Sequence, residues 1–296
     1  SSTDFGSAVL DATEAWSEHI TDAKKLAGVS SADMTMFAAA ARAEGLEGWL
    51  VTLQQPSVNA ILAFAEDGEL RARVYEALGT RASDQGPHAG RFDNSGRIAR
   101  LLDLRWSASR LLGFDNPVEW SLATKMASNS AEVLSFLRGL GHRAKAAAEL
   151  EYADLRRFAS ESLGLFDMAP SDIAFVSDRL RRMRHAIDEH EVREYFPVNR
   201  VLSGWKTLLS RLFGISLVQR DDVELWHDDA SYYDVVDDNG VTIAGLFTDL
   251  HARNGKRGGA WMSAGRPRLG ERGRARGPGA YLVCNFAPLS ADTPAL

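Results

Sequence analysis

The fold prediction depends on one segment, Ala280-Tyr281-Leu282-Val283-Cys284-Asn285-Phe286. Its aromatic, β-branched and aliphatic side chains predict a buried or half-buried strand, because such residues pack well on a pleated surface. Gly277-Pro278-Gly279 precedes the segment and Pro288 follows it, and both interrupt regular structure. Upstream lies Gly255-Lys256-Arg257-Gly258-Gly259-Ala260-Trp261, whose paired glycines would let a ligand or another backbone come close. Together the two segments predict the wall of a groove.

The composition is that of a globular protein with one or two domains. The 296 residues are 45% hydrophobic, which is enough to form a buried core. The 34 Lys and Arg residues against 40 Asp and Glu give a net charge of -6, which disfavours general binding to nucleic acids or anionic membranes. The arginines between Arg266 and Arg276 lack interleaved aromatic residues for base stacking. We therefore expect neither a nucleic acid nor a membrane as partner.

No apolar run approaches the length of a membrane span, and Ser1 to Trp16 lack the basic end and apolar core of a signal peptide. A cytoplasmic location is therefore expected. The single cysteine, Cys284, excludes an internal disulfide framework and a zinc site built from several thiolates. In the middle of an apolar strand its thiol is predicted to be inert rather than nucleophilic.

One of the seven histidines begins a pattern that is typical of a metal site. In His190-Glu191-Val192-Arg193-Glu194, Glu194 stands where a zinc-protease helix carries its second histidine. A histidine and a glutamate four residues apart could ligate zinc, but on a short charged segment a solvated helix face is the favoured interpretation. No metal ligand and no catalytic residue is therefore predicted in this chain.

The fold class predicted is mostly α, with a small β-sheet near the C-terminus. Apolar residues recur at helical spacing from Leu10 to about Phe213. Asn116 before Pro117, and Asn129 three residues before Glu132, have the spacing of helix N-caps, and the second predicts a long helix to about Ser162. The predicted domains are a helical body at residues 1–213 and a small sheet segment at residues 214–296.

After Gly214 the apolar pattern changes from helical to alternating, which predicts an antiparallel or mixed sheet. Asp238-Asn239-Gly240 is predicted to form a tight turn, in which Asn-Gly supplies the positive φ angles. Gly265 to Gly279 is rich in residues that interrupt strands, so it is predicted to be an unstructured, mobile loop over the sheet. The predicted strands are Ile215 to Val218, Tyr232 to Val236, Val241 to Leu250 and Ala280 to Phe286.

Several segments carry a family resemblance. Thr80-Arg81-Ala82-Ser83-Asp84-Gln85-Gly86-Pro87-His88-Ala89-Gly90-Arg91-Phe92-Asp93-Asn94 has the composition of an ordered loop. It resembles the thimet oligopeptidase, oligopeptidase A and peptidyl-dipeptidase family of zinc metallopeptidases, most closely the bacterial oligopeptidase A branch. The other segments that resemble the family keep its order: Leu112 to Phe114, Ser121 to Ala127, Glu194 to Pro197, Asp249 to Met262 and Tyr281 to Phe286. His251 departs from the family, which tends to carry tyrosine there.

The resemblance implies a partial zincin-like oligopeptidase fold whose sheet segment lines a peptide channel. It implies a parent enzyme that hydrolyses short peptides with a zinc-activated water and a glutamate as general base. In the family, the His-Glu-x-x-His helix follows the strand that Tyr281 to Phe286 resembles. We therefore expect an internal fragment that lacks the zinc site, binds no cofactor by itself and is inactive alone, with short peptides and a missing C-terminal catalytic portion as partners. The alternative is a non-catalytic peptide-binding module, or half-chain, that pairs with a separate zinc-bearing half.

A protease of this type is expected to hold an extended substrate by β-augmentation, in which the substrate backbone pairs with an exposed strand edge. Tyr281 to Phe286 is the predicted edge, covered by the loop from Gly265 to Gly279, and a purely internal core strand is the alternative. On the edge hypothesis Val283→Pro weakens peptide binding beyond its effect on folding, whereas Cys284→Ala is nearly silent in catalysis. The predicted substrate-binding residues are Gly258, Gly259, Ala260, Tyr281, Leu282, Val283 and Asn285.

Overall fold

A computed structural model describes residues 2–271 and 274–287. Within them the chain is mostly helical, which confirms the predicted fold class. Pro288 and residues 272–273 of the predicted Gly265 to Gly279 loop lie outside the described residues. The helices are α1 (Ser2–Glu14), α2 (Ser31–Ala43), α3 (Gln55–Phe64), α4 (Gly68–Gly79), α5 (Ser95–Leu111), α6 (Pro117–Leu122), α7 (Ser130–Leu163), α8 (Ile173–His185), α9 (Glu189–Glu194) and α10 (Val198–Phe213).

The strands form two two-stranded antiparallel sheets and a five-stranded mixed sheet. The two-stranded sheets pair β1 with β2 and β7 with β8. The order in the larger sheet is β3-β4-β5-β9-β6, in which β5 and β9 run parallel and all other neighbours run antiparallel. The strands are β1 (Ser17–Ile20), β2 (Trp49–Thr52), β3 (Ser216–Arg220), β4 (Ala230–Val236), β5 (Thr242–His251), β6 (Trp261–Arg266), β7 (Leu269–Glu271), β8 (Arg274–Arg276) and β9 (Gly279–Phe286).

Contacts between Cα atoms group the chain into two units, and each unit is discontinuous in sequence. The first unit contains residues 1–16 and 67–184, and the second contains residues 17–66 and 185–296. Residue 213, the predicted domain boundary, is not a boundary of either unit. Sequence patterns locate a change of secondary structure at this residue, whereas a compact unit is defined by contacts between segments that are distant in the chain.

The first unit is helical, and its caps follow the sequence. The Asn116 side chain accepts hydrogen bonds from the N–H groups of Val118 and Glu119, which begins α6. The Asn129 side chain accepts from Glu132 N–H at 2.9 Å, and the long helix α7 follows. Both predicted helix starts are therefore confirmed, because each side chain satisfies N–H groups that have no partner inside the helix.

A buried ion pair holds α4 to the turn before α8 in the first unit. The Arg71 side chain is 1% exposed and donates from Nε and Nη2 to Asp172 Oδ1 at 3.1 and 2.7 Å. Its guanidinium also lies 4.2 Å from the ring centroid of Phe175. Phe175 belongs to a small apolar core, formed by α7, α8 and the segment between them, that also contains Ala159, Met168 and Val176. The pair therefore joins a charged contact directly to this core.

The second unit contains the two-stranded sheet of β1 and β2, which interrupts the predicted helical body. Ser17 pairs with Thr52 and Ile20 with Trp49, and Leu50 and Val51 in β2 are buried. The expectation of helix from Leu10 to about Phe213 is therefore wrong at β1. At β2 the sequence had left a strand open, because Trp49 to Leu53 is a short apolar run that ends before Pro56. Ser17-Glu18-His19 carries no alternating apolar pattern, so only its pairing with the buried β2 strand makes it extended.

The turn between β4 and β5 is confirmed, although its geometry differs from the prediction. Gly240 has a φ angle of +76°, but Asn239 does not adopt a positive φ angle. Instead, the Asp237 carboxylate accepts hydrogen bonds from the N–H groups of Asn239 and Val241. An aspartate that caps the turn thus replaces the two-residue Asn-Gly turn, because its side chain stabilises a slightly longer connection.

The prediction of an unstructured loop from Gly265 to Gly279 is wrong in the described part. Strand β6 extends through Arg266, and β7 and β8 pair in antiparallel fashion, with Gly270 opposite Ala275. Backbone pairing can stabilise a glycine- and arginine-rich strand that has no apolar side-chain pattern. The composition of this segment therefore predicted a loop where strands form. The sheet therefore has a fifth strand that the sequence pattern did not predict.

Candidate functional site

Strand β9 lies inside the sheet, so its predicted role as an exposed edge is wrong. On one side Phe247 to Asp249 of β5 pair with Tyr281 to Val283. On the other side the same β9 residues pair with β6, where Val283 is opposite Trp261. Both backbone edges of β9 are therefore occupied by strands of the same chain. Val283→Pro would disrupt this ladder and cannot report on peptide binding separately from folding.

The edge next to β9 is formed by β6. Every residue of Trp261–Arg266 is exposed, and β6 is a terminal strand in the order of the described sheet. A Cβ atom on Gly265 would lie 2.3 Å from Cε2 of Tyr281, so glycine at this position allows the Tyr281 ring to lie across the edge strand. An exposed edge strand presents unpaired N–H and C=O groups to another chain.

An aromatic cluster covers one face of the sheet beside this edge. The Phe247 and Tyr281 rings are stacked with centroids 5.0 Å apart. Trp226 lies 5.6 Å from Phe247 and 5.8 Å from Tyr281, and Tyr232 lies 4.7 Å from Phe247. These separations are those of favourable ring contacts, so the cluster makes a firm apolar surface with a half-exposed tryptophan at its rim.

Asp249, at the end of β5, is the polar centre of the same face. Its carboxylate is buried and accepts from Arg253 through two bonds, Nη1 to Oδ1 at 2.6 Å and Nη2 to Oδ2 at 2.7 Å. Lys256 Nζ donates to Oδ1 at 2.8 Å, and Trp226 Nε1 donates to Oδ2 at 3.0 Å. Two cations and an indole N–H therefore converge on one buried carboxylate.

The protonation equilibrium of Asp249 follows from these contacts. Burial raises the pKa of the carboxyl, but the hydrogen bonds from Arg253, Lys256 and Trp226 outweigh burial and hold that pKa well below its usual range. The reciprocal bond to Asp249 raises the pKa of Arg253. The carboxylate therefore stays ionised at neutral pH and acts as an anchor rather than as a proton carrier.

Asp249 fixes the loop that leads into β6. Lys256 Nζ also donates to the backbone carbonyls of Asp249 at 2.9 Å and His251 at 2.6 Å, so all three of its protons are used. The Asn285 side chain donates to the carbonyls of Arg257, at 3.2 Å, and Gly259. These contacts hold both ends of the segment that precedes the edge strand.

The predicted substrate-binding residues are placed in three different environments. Gly258, Gly259 and Ala260 are exposed in the loop before β6, and a Cβ atom on either glycine would meet nothing within 4 Å. Tyr281, Val283 and Asn285 alternate with Leu282 along β9, so they lie on the face of Asp249 and Leu282 on the opposite face. Their role in binding substrate stays a prediction.

Two cavities flank β6, one on each face of the sheet. The polar and aromatic cavity has a volume of about 530 Å³ and is lined by Trp226, Asp249, Arg257, Trp261 and Tyr281, among others. The apolar cavity has a volume of about 380 Å³ and lies between α10 and residues that include Leu246, Met262 and Ala280. An extended chain that paired with β6 would direct alternate side chains towards the two faces.

Sequence patterns did not single out Asp249, Arg253 or Trp226 as site residues, and Lys256 was noted only as part of the segment predicted to line a groove. One signal was available, because an aspartate inside the apolar strand Thr242–His251 requires cationic or hydrogen-bonding partners when it is buried. The identity of those partners was not readable, since Trp226 lies 23 residues upstream in an irregular segment.

Cys284 is a partly buried free thiol in β9. Burial raises the pKa of the thiol, and the nearby Lys256 ammonium only partly opposes this shift. A thiol with a raised pKa is less ionised at a given pH, so its reaction with iodoacetamide is expected to be slower than that of an unhindered cysteine and to accelerate at higher pH. The measurement is the alkylation rate between pH 7 and 10 by mass spectrometry. The urea-unfolded chain is the control, and equal rates in the two states would contradict the prediction.

The described residues do not form a metal site. Within residues 2–271 and 274–287, no three His, Cys, Asp or Glu side chains are grouped so that they could hold a metal ion. The sequence itself contains no His-Glu-x-x-His motif, since Glu194 follows His190 at the position of the second histidine. In the same described ranges, no helix is long and apolar enough to cross a membrane.

The amino-acid sequence of this chain is similar to those of known peptidases. Residues 61–296 match Peptidase family M3. Over 294 residues the chain is 41% identical to Oligopeptidase A of Haemophilus influenzae and 40% identical to Oligopeptidase A of Escherichia coli. Over 296 residues it is 33% identical to Dipeptidyl carboxypeptidase of Salmonella typhimurium.

The chain belongs to Peptidase family M3. This confirms the resemblance inferred from the sequence segments. Each of the three alignments covers 99% of this chain, but only 43% of the two oligopeptidases and 42% of the dipeptidyl carboxypeptidase. The chain thus spans less than half the length of these relatives.

Proposed function

We propose that this chain is an internal part of a zinc-dependent oligopeptidase, in which it supplies the helical body and the sheet that binds a short peptide substrate. The zinc ligands, the general base and therefore the hydrolytic step would come from residues outside these 296. Support comes from membership of Peptidase family M3, from similarity to oligopeptidases and from the lack of a His-Glu-x-x-His motif. The proposed location is the cytoplasm, in agreement with a single unpaired cysteine.

The observation that carries the proposal is the exposed edge of β6, with a cavity on each face of the sheet beside it. Backbone pairing with an edge strand tolerates many substrate sequences, which suits an enzyme that acts on short peptides. The substrate strand is thus assigned to Trp261–Arg266 rather than to Tyr281–Phe286.

A pair of proline substitutions in β6 tests this assignment. The N–H groups of successive strand residues point to opposite sides, so one of Met262→Pro and Ser263→Pro removes a ladder bond to β9 and the other removes only an outward donor. The outward variant should fold normally and bind a fluorescent, end-capped hexapeptide about tenfold more weakly, the loss expected for a hydrogen bond worth about 1 kcal/mol plus misfit of the proline ring. The measurements are fluorescence anisotropy for binding and urea denaturation for folding.

The other edge of the sheet provides the matched control. Strand β3 is also exposed and terminal, but it does not border the polar cavity. Val218→Pro and Gln219→Pro repeat the same pair of changes there. Unchanged peptide affinity in the stable β6 variant, or an equal loss in the stable β3 variant, would exclude β6 as the peptide-binding edge.

The proposal of a non-catalytic half-chain that pairs with a separate zinc-bearing half predicts the same peptide binding. The two differ in what restores hydrolysis. A longer polypeptide containing this chain should hydrolyse peptides if it is a fragment of one enzyme, whereas addition of a separately encoded zinc-bearing chain should do so for the half-chain alternative.

A further inference from the structure

The polar cavity beside β6 has an excess of positive charge. Its lining contains three cationic side chains, Arg253, Lys256 and Arg257, but Asp249 is its one carboxylate among the described residues. Asp249 is already bonded to Arg253 and Lys256, so its charge is fully engaged. The cationic residues of the lining therefore outnumber its carboxylate, although Asp229 also acts electrostatically on Arg253. This local excess of positive charge favours an anionic ligand.

Arg257 is the cation that remains available. Lys256 uses all of its protons within the protein, and Arg253 forms a bidentate pair with Asp249. In the ranges that the structure describes, the exposed Arg257 side chain has no hydrogen-bond or ion-pair partner; only its backbone carbonyl is engaged, by Asn285. A free guanidinium at a cavity wall presents a planar fork of donors that matches a carboxylate.

The same cavity has an apolar wall next to this charge. Trp226 is 50% exposed and Trp261 is 44% exposed, and both line the cavity with Tyr281. Two large indole rings left half exposed offer contact area to an apolar or aromatic side chain. At about 530 Å³ the cavity has the size of a typical small-ligand pocket.

We infer that this cavity is a subsite for a peptide carboxylate, in which Arg257 binds the anionic group and Trp226 and Trp261 contact the neighbouring apolar side chain. The carboxylate belongs either to the C-terminus of a peptide or to an Asp or Glu side chain. This inference rests on the proposed function and names a substrate class for it: short peptides in which an anionic group adjoins an apolar residue.

The test measures peptide binding to this chain by isothermal titration calorimetry. The probes for a terminal carboxylate are acetyl-Ala-Phe-Ala and its C-terminal amide. The probes for a side-chain carboxylate are acetyl-Ala-Phe-Glu-amide and acetyl-Ala-Phe-Gln-amide. In at least one pair the charged peptide should bind about tenfold more tightly, as expected for a charge-assisted hydrogen bond, and the pair that shows the gain identifies the source of the carboxylate.

Arg257→Gln should abolish that gain and leave the uncharged peptides unaffected. Because the Arg257 side chain has no partner among the described residues, the substitution should not alter folding. Arg211→Gln, which changes an exposed arginine on α10, is the matched control and should keep the gain. Arg257→Lys should keep part of it, because it preserves the charge but not the fork of donors.

The experiments can contradict the subsite proposal and the edge-strand proposal independently of each other. If charged and uncharged peptides bind equally, or if Arg257→Gln keeps the preference, the subsite is wrong, while sensitivity to proline in β6 would still support the edge. If the charge preference depends on Arg257 but neither stable β6 variant loses affinity, the subsite stands and the edge assignment is wrong. Binding of none of the peptides would overturn both.

Discussion

Asp249→Ala is expected to destabilise the second unit by about 3–5 kcal/mol, because removing one partner from a buried charged pair leaves the other charge unpaired. The substitution leaves the Arg253 guanidinium and the Lys256 ammonium without their carboxylate in a largely buried setting. It also removes the acceptor of the Trp226 indole N–H. The measurement is urea denaturation followed by near-ultraviolet circular dichroism, which reports on the aromatic cluster.

An exposed carboxylate provides the matched control for Asp249. Asp222 pairs with Arg220 through two short hydrogen bonds, but its side chain is 67% exposed. Because surface ion pairs contribute little, Asp222→Ala should leave stability almost unchanged. If the two substitutions had equal effects, Asp249 would not be the anchor of the loop that precedes β6.

The pH dependence of stability gives a second readout of Asp249. The pKa of this carboxyl is lowered in the folded chain, so its contribution to stability is complete above the unfolded value of about 3.9 and is lost as pH falls towards the folded value. The wild-type chain should therefore lose stability between about pH 4 and pH 2 more steeply than Asp249→Asn, which has no proton to bind. Parallel pH profiles for the two proteins would contradict this assignment.

Arg71→Met is the second substitution with a large expected effect, a loss of about 3–5 kcal/mol in the first unit, because it leaves the Asp172 carboxylate buried without its cation. Asp172 would keep the hydrogen bond from Ala169 N–H, which cannot neutralise a charge. Methionine retains much of the volume beside Phe175, so the loss would reflect charge more than packing. Thermal and urea denaturation measure the effect.

A double variant separates the pair from its surroundings. Arg71→Met with Asp172→Leu removes both charges and should recover a large part of the stability that either single variant loses, because a buried apolar pair can replace a buried ion pair. Arg73→Met on the same helix, which removes an exposed partner of Glu69, is the control and should have little effect. Additive losses in the double variant would show that Arg71 and Asp172 do not act as a pair.

Local patterns in the sequence determined most of the helices and four strands of the main sheet. Asn116 and Asn129 begin helices because their side chains satisfy N–H groups within the next three residues. Gly214 ends α10 with a φ angle of +63°, a conformation that costs glycine little. These features depend on neighbours within one helical turn, so the amino-acid order is sufficient to predict them.

Local sequence patterns are not sufficient to predict the candidate site. Asp249 was visible as a charge in an apolar strand, and Lys256-Arg257-Gly258-Gly259 was visible as a distinctive segment. The sequence did not show that these residues contact one another. Their contacts depend on how an irregular segment returns to the end of β5, where hydrogen bonds join Asp249 to Arg253, Lys256 and Trp226. Likewise, Lys256 and Arg257 are alike in sequence, and only their contacts show that Lys256 is engaged while the Arg257 side chain has no partner within the described residues.

By itself, the sequence determined the fold class, the family resemblance and the absence of a His-Glu-x-x-His motif within these 296 residues. Only the tertiary structure decided which strand forms the edge. Tyr281–Phe286 has the same alternating and apolar side chains whether it is an edge or an interior strand, since its neighbours are chosen by the path of the chain. Here β9 inserts in parallel beside β5, and β6, which precedes it in sequence, pairs on its outer side. Among the described residues, the sheet edge beside β9 therefore belongs to Trp261–Arg266, because sheet order depends on contacts between residues distant in sequence.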